Sequence, residues 1–94
     1  MNIVWADDAW DDYQWWNRTN PKIRDKINKL IADIERHPFT GIGKPEPLKG
    51  SLSGYWSRRI TREHRLVYKV QKNVLSIAQC RYHYESKPAR RPLP

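Results

Sequence analysis

A chain of 94 residues with 18 Lys/Arg, 10 Asp/Glu and a net charge of +8 is one domain with one modest core. Its single cysteine, Cys80, excludes an intrachain disulfide framework, and no stretch approaches the ~20 apolar residues of a membrane span. The opening Met1-Asn2-Ile3-Val4-Trp5-Ala6-Asp7-Asp8 has neither the basic start nor the long apolar run of a signal peptide, so a cytoplasmic protein without a membrane partner is expected.

The charge is unevenly spread. Residues 1–35 hold five Lys/Arg and seven Asp/Glu, whereas residues 36–94 hold thirteen and three, a net +10. The second part is the expected polyanion face. Charge alone leaves nucleic acid, acidic proteins and anionic membranes open as its partners.

Asn2-Ile3-Val4-Trp5 reads as a short strand. Asp7 and Asp8 then suit a first helical turn. Trp10, Tyr13 and Trp16 recur at spacings of three, which predicts an aromatic face packed on a sheet, with Trp15 beside it and Asp11 and Asp12 turned to solvent. Consecutive carboxylates do not converge on a helix, so acid–base or metal chemistry at Asp11-Asp12 is disfavoured. Asn20-Pro21 starts a second helix, with Asn20 as N-cap and Pro21 at the first helical position. Ile23, Ile27, Leu30, Ile31 and Ile34 form its apolar stripe, Lys22, Lys26 and Lys29 lie off it, and Pro38 stops it at His37.

Phe39 to Ser53 reads as a loop, punctuated by Gly41, Gly43 and Gly50 and stiffened by Pro45 and Pro47. Glu46 is the only acid between residues 36 and 62, in a field of Lys44, Lys49, Arg58 and Arg59. It is either a surface ion pair of little energetic weight or a general base. Tyr55 to Ile60 and His64 to Val70 read as strands joined by Thr61-Arg62-Glu63. Gln71-Lys72-Asn73 turns the chain into a final strand from Val74 to Cys80, which runs on into Arg81-Tyr82-His83-Tyr84. Cys80 reads as a buried structural thiol. Strands this closely connected form an antiparallel meander. The expected fold is α+β: one short N-terminal strand, two helices packed on one face of an antiparallel sheet, then a three-strand meander. With Leu66, Tyr68 and Val70 facing the helices, Arg65 lies on the open side, and strand parity puts Arg81 and His83 on a common face. Glu85 to Pro94, with three prolines and three basic residues, reads as a disordered tail.

Metal-free cleavage of RNA needs a base for the ribose 2′-hydroxyl, cations for the charge on pentacoordinate phosphorus, and an acid for the departing 5′-oxygen. Glu46, Arg65 and His83 have those chemical types. Lys44, Lys49, Arg59 and Arg81 are further cations, and Tyr84 suits stacking on a base. Three residues spread over 38 positions are not a motif, and spacing alone favours nucleic-acid binding over cleavage. His37, His64 and His83 with Glu63 lack the spacings of a metal site. The apolar neighbours of Cys80 argue against a thiol nucleophile. No metal or cofactor is expected.

The opening Trp5…Trp10-Asp11-Asp12-Tyr13, the loop Gly43-Lys44-Pro45-Glu46-Pro47-Leu48-Lys49, the run Leu52-Ser53-Gly54-Tyr55-Trp56-Ser57-Arg58-Arg59-Ile60, then Glu63-His64-Arg65-Leu66-Val67-Tyr68 and the ending Cys80-Arg81-Tyr82-His83-Tyr84 together resemble the YoeB-type toxins. These belong to the RelE-like superfamily of bacterial toxin–antitoxin systems. The resemblance covers residues 1–84 as one toxin domain and leaves 85–94 as a basic, proline-rich extension beyond the usual family end. It implies a ribosome-dependent messenger RNA endonuclease of the decoding site that needs no metal and inhibits translation. It implies Glu46 as general base, Arg65 as transition-state cation and His83 as general acid, with Tyr84, Lys49 and Arg59 in support. It further implies a YefM-type antitoxin, a homodimer, and operator DNA bound only through the antitoxin complex. The alternatives are a non-enzymatic gyrase inhibitor of the ParE kind and a plain nucleic-acid-binding module.

Overall fold

The computed structural model describes residues 1–83. Tyr84 and the tail from 85 to 94 lie outside the described residues. Strand β1 (Asn2–Trp5) leads into helices α1 (Asp7–Thr19) and α2 (Pro21–Arg36). The short strand β2 (Glu46–Pro47) and a 3₁₀ turn (Gly50–Leu52) precede β3 (Trp56–Arg59), β4 (Arg65–Gln71) and β5 (Val74–Gln79). The expected α+β architecture is the one observed. The sheet has five strands in the order β1-β5-β4-β3-β2 and is mixed rather than wholly antiparallel, because β1 pairs with β5 in parallel. The two helices carry the chain back across one face between β1 and the meander, so β1 enters beside the last strand. Nothing in its four residues specifies that edge.

The helices break where the chain demands it. Asn20, at φ −157 and ψ 83, leaves the helical region, and Pro21 restarts it at the first helical position. Asn20 stands at the N-cap, but its side chain makes no cap bond. Its backbone carbonyl instead accepts from Ile23 N (3.0 Å) and Arg24 N (3.3 Å). The stripe of α2 is as its spacing predicts: Ile27, Leu30, Ile31 and Ile34 are buried. The face of α1 differs. Its buried residues are Ala9, Asp12 and Trp16, while Trp10 is 47% exposed. At about 100° per residue, Trp10 and Trp16 stand roughly 120° apart, so two steps of three drift off a common face. Asp12, expected in solvent, is fully buried. Trp10 instead joins a surface cluster with Trp5 and Tyr13, its ring centroid 5.6 Å from Trp5 and 5.8 Å from Tyr13.

Leu66, Tyr68, Leu75 and Ile77 meet the helices in one apolar core with Trp16, Ile27, Leu30 and Ile34. Lys72 and Asn73, both at positive φ (51° and 61°), close the two-residue hairpin that sets the β4–β5 register.

Among the described residues, one cation is fully buried here. Arg58, read from sequence as a cation around Glu46, is fully buried on the helix side. Charge suggests a surface residue, but its strand parity turns the guanidinium inward, where acceptors surround it. It pairs with Asp33 of α2 and donates to the carbonyls of His37, Thr40 (2.8 Å) and Ile42 (3.1 Å) and to Tyr68 Oη (3.1 Å). Tyr68 Oη donates in turn to Pro38 O (2.7 Å). Gly41 sits at φ 114 where a Cβ would overlap the Asp33 carboxylate, so the connection after α2 closes tightly only with glycine there.

The Arg58 guanidinium holds the Asp33 carboxyl below its ordinary value of 3.8. The pair therefore contributes stability that is present above that value and lost as acid protonates Asp33. Asp33→Asn is expected to lower the urea unfolding midpoint at neutral pH. The deficit relative to wild type should narrow below about pH 4. Urea titrations across this range check both the sign and the window.

Candidate active site on the open sheet face

Strand pairing brings distant residues into rows. Glu46 pairs with Ser57, Ser57 with Val67, and Val67 with Gln79, one row across four strands. Arg59 and Arg65 pair two positions further along β3 and β4, the next row on the same face beyond Arg58 and Leu66. Arg58 and Leu66 point to the helices, so side-chain alternation directs Glu46, Arg59 and Arg65 to the opposite face, where Ser57, Val67 and Gln79 of the Glu46 row are themselves buried. Ideal sheet spacing puts the Glu46 and Arg65 backbones on the order of 10 Å apart, within reach of two long side chains and a phosphodiester. Directly opposed like charges are unfavourable in a sheet. An anion between Arg59 and Arg65 would relieve that repulsion.

Glu46 stands on a two-residue edge strand rather than in the expected loop. Leu48 N donates to Tyr55 O (2.9 Å) and Arg59 N to Gly43 O (2.7 Å), which straps residues 43–48 to β3. Lys44 and Lys49 flank Glu46 and are exposed. Arg65 is half-buried, and its Nη1 donates to the carbonyls of Thr61 (2.8 Å), Arg62 (3.1 Å) and His64 (3.2 Å). These bonds orient the guanidinium against the β3–β4 connection. Among the described residues its Nε and Nη2 make no hydrogen bond, so both are donors for an anion.

The chain end is built differently from its sequence expectation. β5 stops at Gln79, and residues 80–82 bend, with Tyr82 at φ 65. Strand parity therefore does not govern Arg81 and His83. The buried groups of α1 fix where this bend begins: Asp12 Oδ2 accepts from Cys80 N (2.9 Å), and Trp16 Nε1 donates to Cys80 O (2.8 Å). Cys80 itself is fully buried. Tyr82 N then donates to His64 Nδ1 (2.7 Å), and Tyr82 O accepts from Arg65 N (3.1 Å) and Gln79 Nε2 (3.3 Å). His83 thus leaves from a carbonyl bonded to the backbone of Arg65. Arg81, expected as a phosphate cation, stacks its guanidinium 4.0 Å from the Trp15 ring centroid and 4.7 Å from that of Tyr82.

Glu46, Arg59 and Arg65 thus share one face, and the segment bearing His83 is tied beside Arg65. The sequence reading missed Asp12, Trp16, His64 and Gln79 as the groups that place this segment. The spacing of four between Asp12 and Trp16 was the available signal. Among the described residues, no cluster of His, Cys, Asp or Glu side chains forms a metal site.

Residues 5–84 match the family described as YoeB-like toxin of bacterial type II toxin–antitoxin systems. The chain belongs to this family. The YoeB toxin of Escherichia coli strain K12 is 60% identical over 84 residues, spanning 89% of this chain and all of that protein. A solved structure, the YoeB/ParE toxin from Agrobacterium tumefaciens, is 55% identical with a TM-score of 0.87, covering 89% of this chain and 100% of that one. Two Staphylococcus aureus structures, a heterotetrameric YoeB–YefM complex and a YoeB dimer, are each 48% identical with a TM-score of 0.84, covering 89% of this chain and 98% of theirs. This YoeB-family chain continues for ten residues past the matched segment.

Removing the Asp12 carboxylate leaves the buried Cys80 N–H without its acceptor. Asp12→Ala should cost about 1–3 kcal/mol of folding stability, read from urea unfolding.

Proposed function

We propose that this toxin is a ribosome-dependent messenger RNA endonuclease that cuts in the decoding site and so stops translation. The observation that carries the reading is the open face itself: a carboxylate and two opposed arginines in adjacent rows, with the histidine-bearing chain end bonded to the backbone of one of them.

Glu46 takes the proton from the ribose 2′-hydroxyl, and the 2′-oxygen attacks the adjacent phosphorus. Arg65 stabilises the added negative charge at phosphorus, with Arg59 and Lys49 in support. His83 gives its proton to the 5′-oxygen as the P–O bond breaks. The products are a 2′,3′-cyclic phosphate and a 5′-hydroxyl, and the side chains supply all the proton transfers. Lys44 adds to the positive field over the phosphate backbone, and Arg81, braced on Trp15 and Tyr82, presents its charge at the chain end. Tyr84 stacks on a base beside the cut.

The S. aureus relatives include a complex with YefM and a toxin dimer. By similarity, a YefM-type antitoxin neutralises this protein, the toxin self-associates, and operator DNA is reached only through the antitoxin complex. The site of action is the cytoplasm, and among the described residues no helix is long and apolar enough to cross a membrane.

Purified protein added to programmed ribosomes with a metal chelator should produce cuts at the decoding-site codon. Glu46→Ala and His83→Gln, each with wild-type thermal unfolding, should cut about 10²–10⁴-fold more slowly, the usual weight of a general base or acid. Undiminished cutting by both variants would overturn these assignments. No cutting by folded wild-type protein would favour a gyrase inhibitor or a binding module.

A further inference from the structure

We propose that His64 is a positioning residue: its neutral ring holds the chain end that carries His83 against Arg65, and protonation of Nδ1 releases it. The inference rests on the nuclease reading for its consequence, but the contact stands on geometry alone.

Tyr82 lies at φ 65, a region that costs a non-glycine residue about 1 kcal/mol or more. Such a bend persists only where its neighbours hold it. Its carbonyl is held by Arg65 N and Gln79 Nε2, and its N–H by His64 Nδ1 alone among the described residues. An imidazole nitrogen accepts a hydrogen bond only when it carries no proton. The contact therefore requires the neutral ring with hydrogen on Nε2. Protonation at Nδ1 would set two N–H groups against each other at 2.7 Å.

The surroundings favour the neutral form. His64 is half-buried, its ring edge-on to Trp16 of α1 at 4.9 Å and tilted to Tyr82 at 5.7 Å. Burial is the largest influence and pushes the imidazole below its ordinary value of 6.5. The Arg81 and Arg65 charges push the same way, and Glu63 opposes them. The docked state is therefore complete above about pH 6.5 and is lost as pH falls through the lower folded value. His64 touches no reacting atom in the proposed mechanism. Its effect reaches the reaction through the Tyr82 backbone.

The test compares full-length wild type with His64→Asn and His64→Leu. An asparagine Oδ1 falls near the place of Nδ1 and accepts from Tyr82 N–H without titrating, whereas leucine fills space and accepts nothing. The first readout is the hydrogen-exchange protection of the Tyr82 amide by NMR from pH 5 to 8. Protection should fall about five- to ten-fold in His64→Leu, the weight of one lost hydrogen bond. In His64→Asn it should stay near wild type and lose its dependence on pH. In wild type it should fall below about pH 6.5. The second readout is single-turnover cleavage on programmed ribosomes, where His64→Leu should lower the rate at saturating ribosome and His64→Asn should restore it. Equal Tyr82 protection in wild type and His64→Asn at every pH would overturn the proposal. That comparison remains decisive if the leucine variant does not fold. Absence of cleavage by wild type alongside the expected amide pattern would sink the nuclease reading and leave the His64 contact standing.

Discussion

A buried guanidinium is the constraint on which this structure turns. Arg58 has no solvent exposure, and a charge removed from water persists only if it is paired and its donors are satisfied. Its acceptors are the Asp33 carboxylate, the Tyr68 hydroxyl and three carbonyls between His37 and Ile42. Those partners dictate the path of the chain after α2. The connection must wrap the guanidinium, Gly41 must pass the Asp33 carboxylate without a Cβ, and Gly43 emerges where its carbonyl meets Arg59 N–H. Glu46 then falls opposite Ser57. The position of the proposed base thus follows from a charge on the other side of the sheet.

The proposed acid is placed by an independent set of contacts. Asp12 and Trp16 grip both polar groups of the Cys80 peptide, and His64, Arg65 and Gln79 grip both polar groups of Tyr82. Backbone contacts of this kind fix where the main chain goes at the residue before His83. The two sets meet at β4, whose first residue contributes a guanidinium to the open face and a backbone N–H to the chain end. Arg65 therefore combines a structural role with the proposed chemical one. Its replacement tests both at once, which is why Glu46 and His83 separate the readings more cleanly.

The sheet also carries an electrostatic asymmetry. On the helix side the Arg58 cation is neutralised by Asp33. On the open side Arg59 opposes Arg65, and exposed Lys44 and Lys49 lie near the edge. Excess positive charge on one face of a small sheet costs folding stability and attracts polyanions.

Much of this was legible in the residues. The apolar stripe of α2, the stop at His37-Pro38, the helix restart at Asn20-Pro21 and the β4–β5 hairpin follow from local periodicity and backbone preference, which act over a few residues. The clustered motifs also pointed to the YoeB-type toxins, and the match over residues 5–84 bears that out. The tertiary structure alone decided which edge β1 joins, which face of α1 is buried, where β5 ends, and that Asp12 and Arg58 lie inside. The reason is distance along the chain. The burial of a charged side chain depends on its partner, and those partners lie 25 residues away for Arg58 and Asp33 and 68 for Asp12 and Cys80. No window on the sequence spans such a contact, and without it a charge reads as solvated.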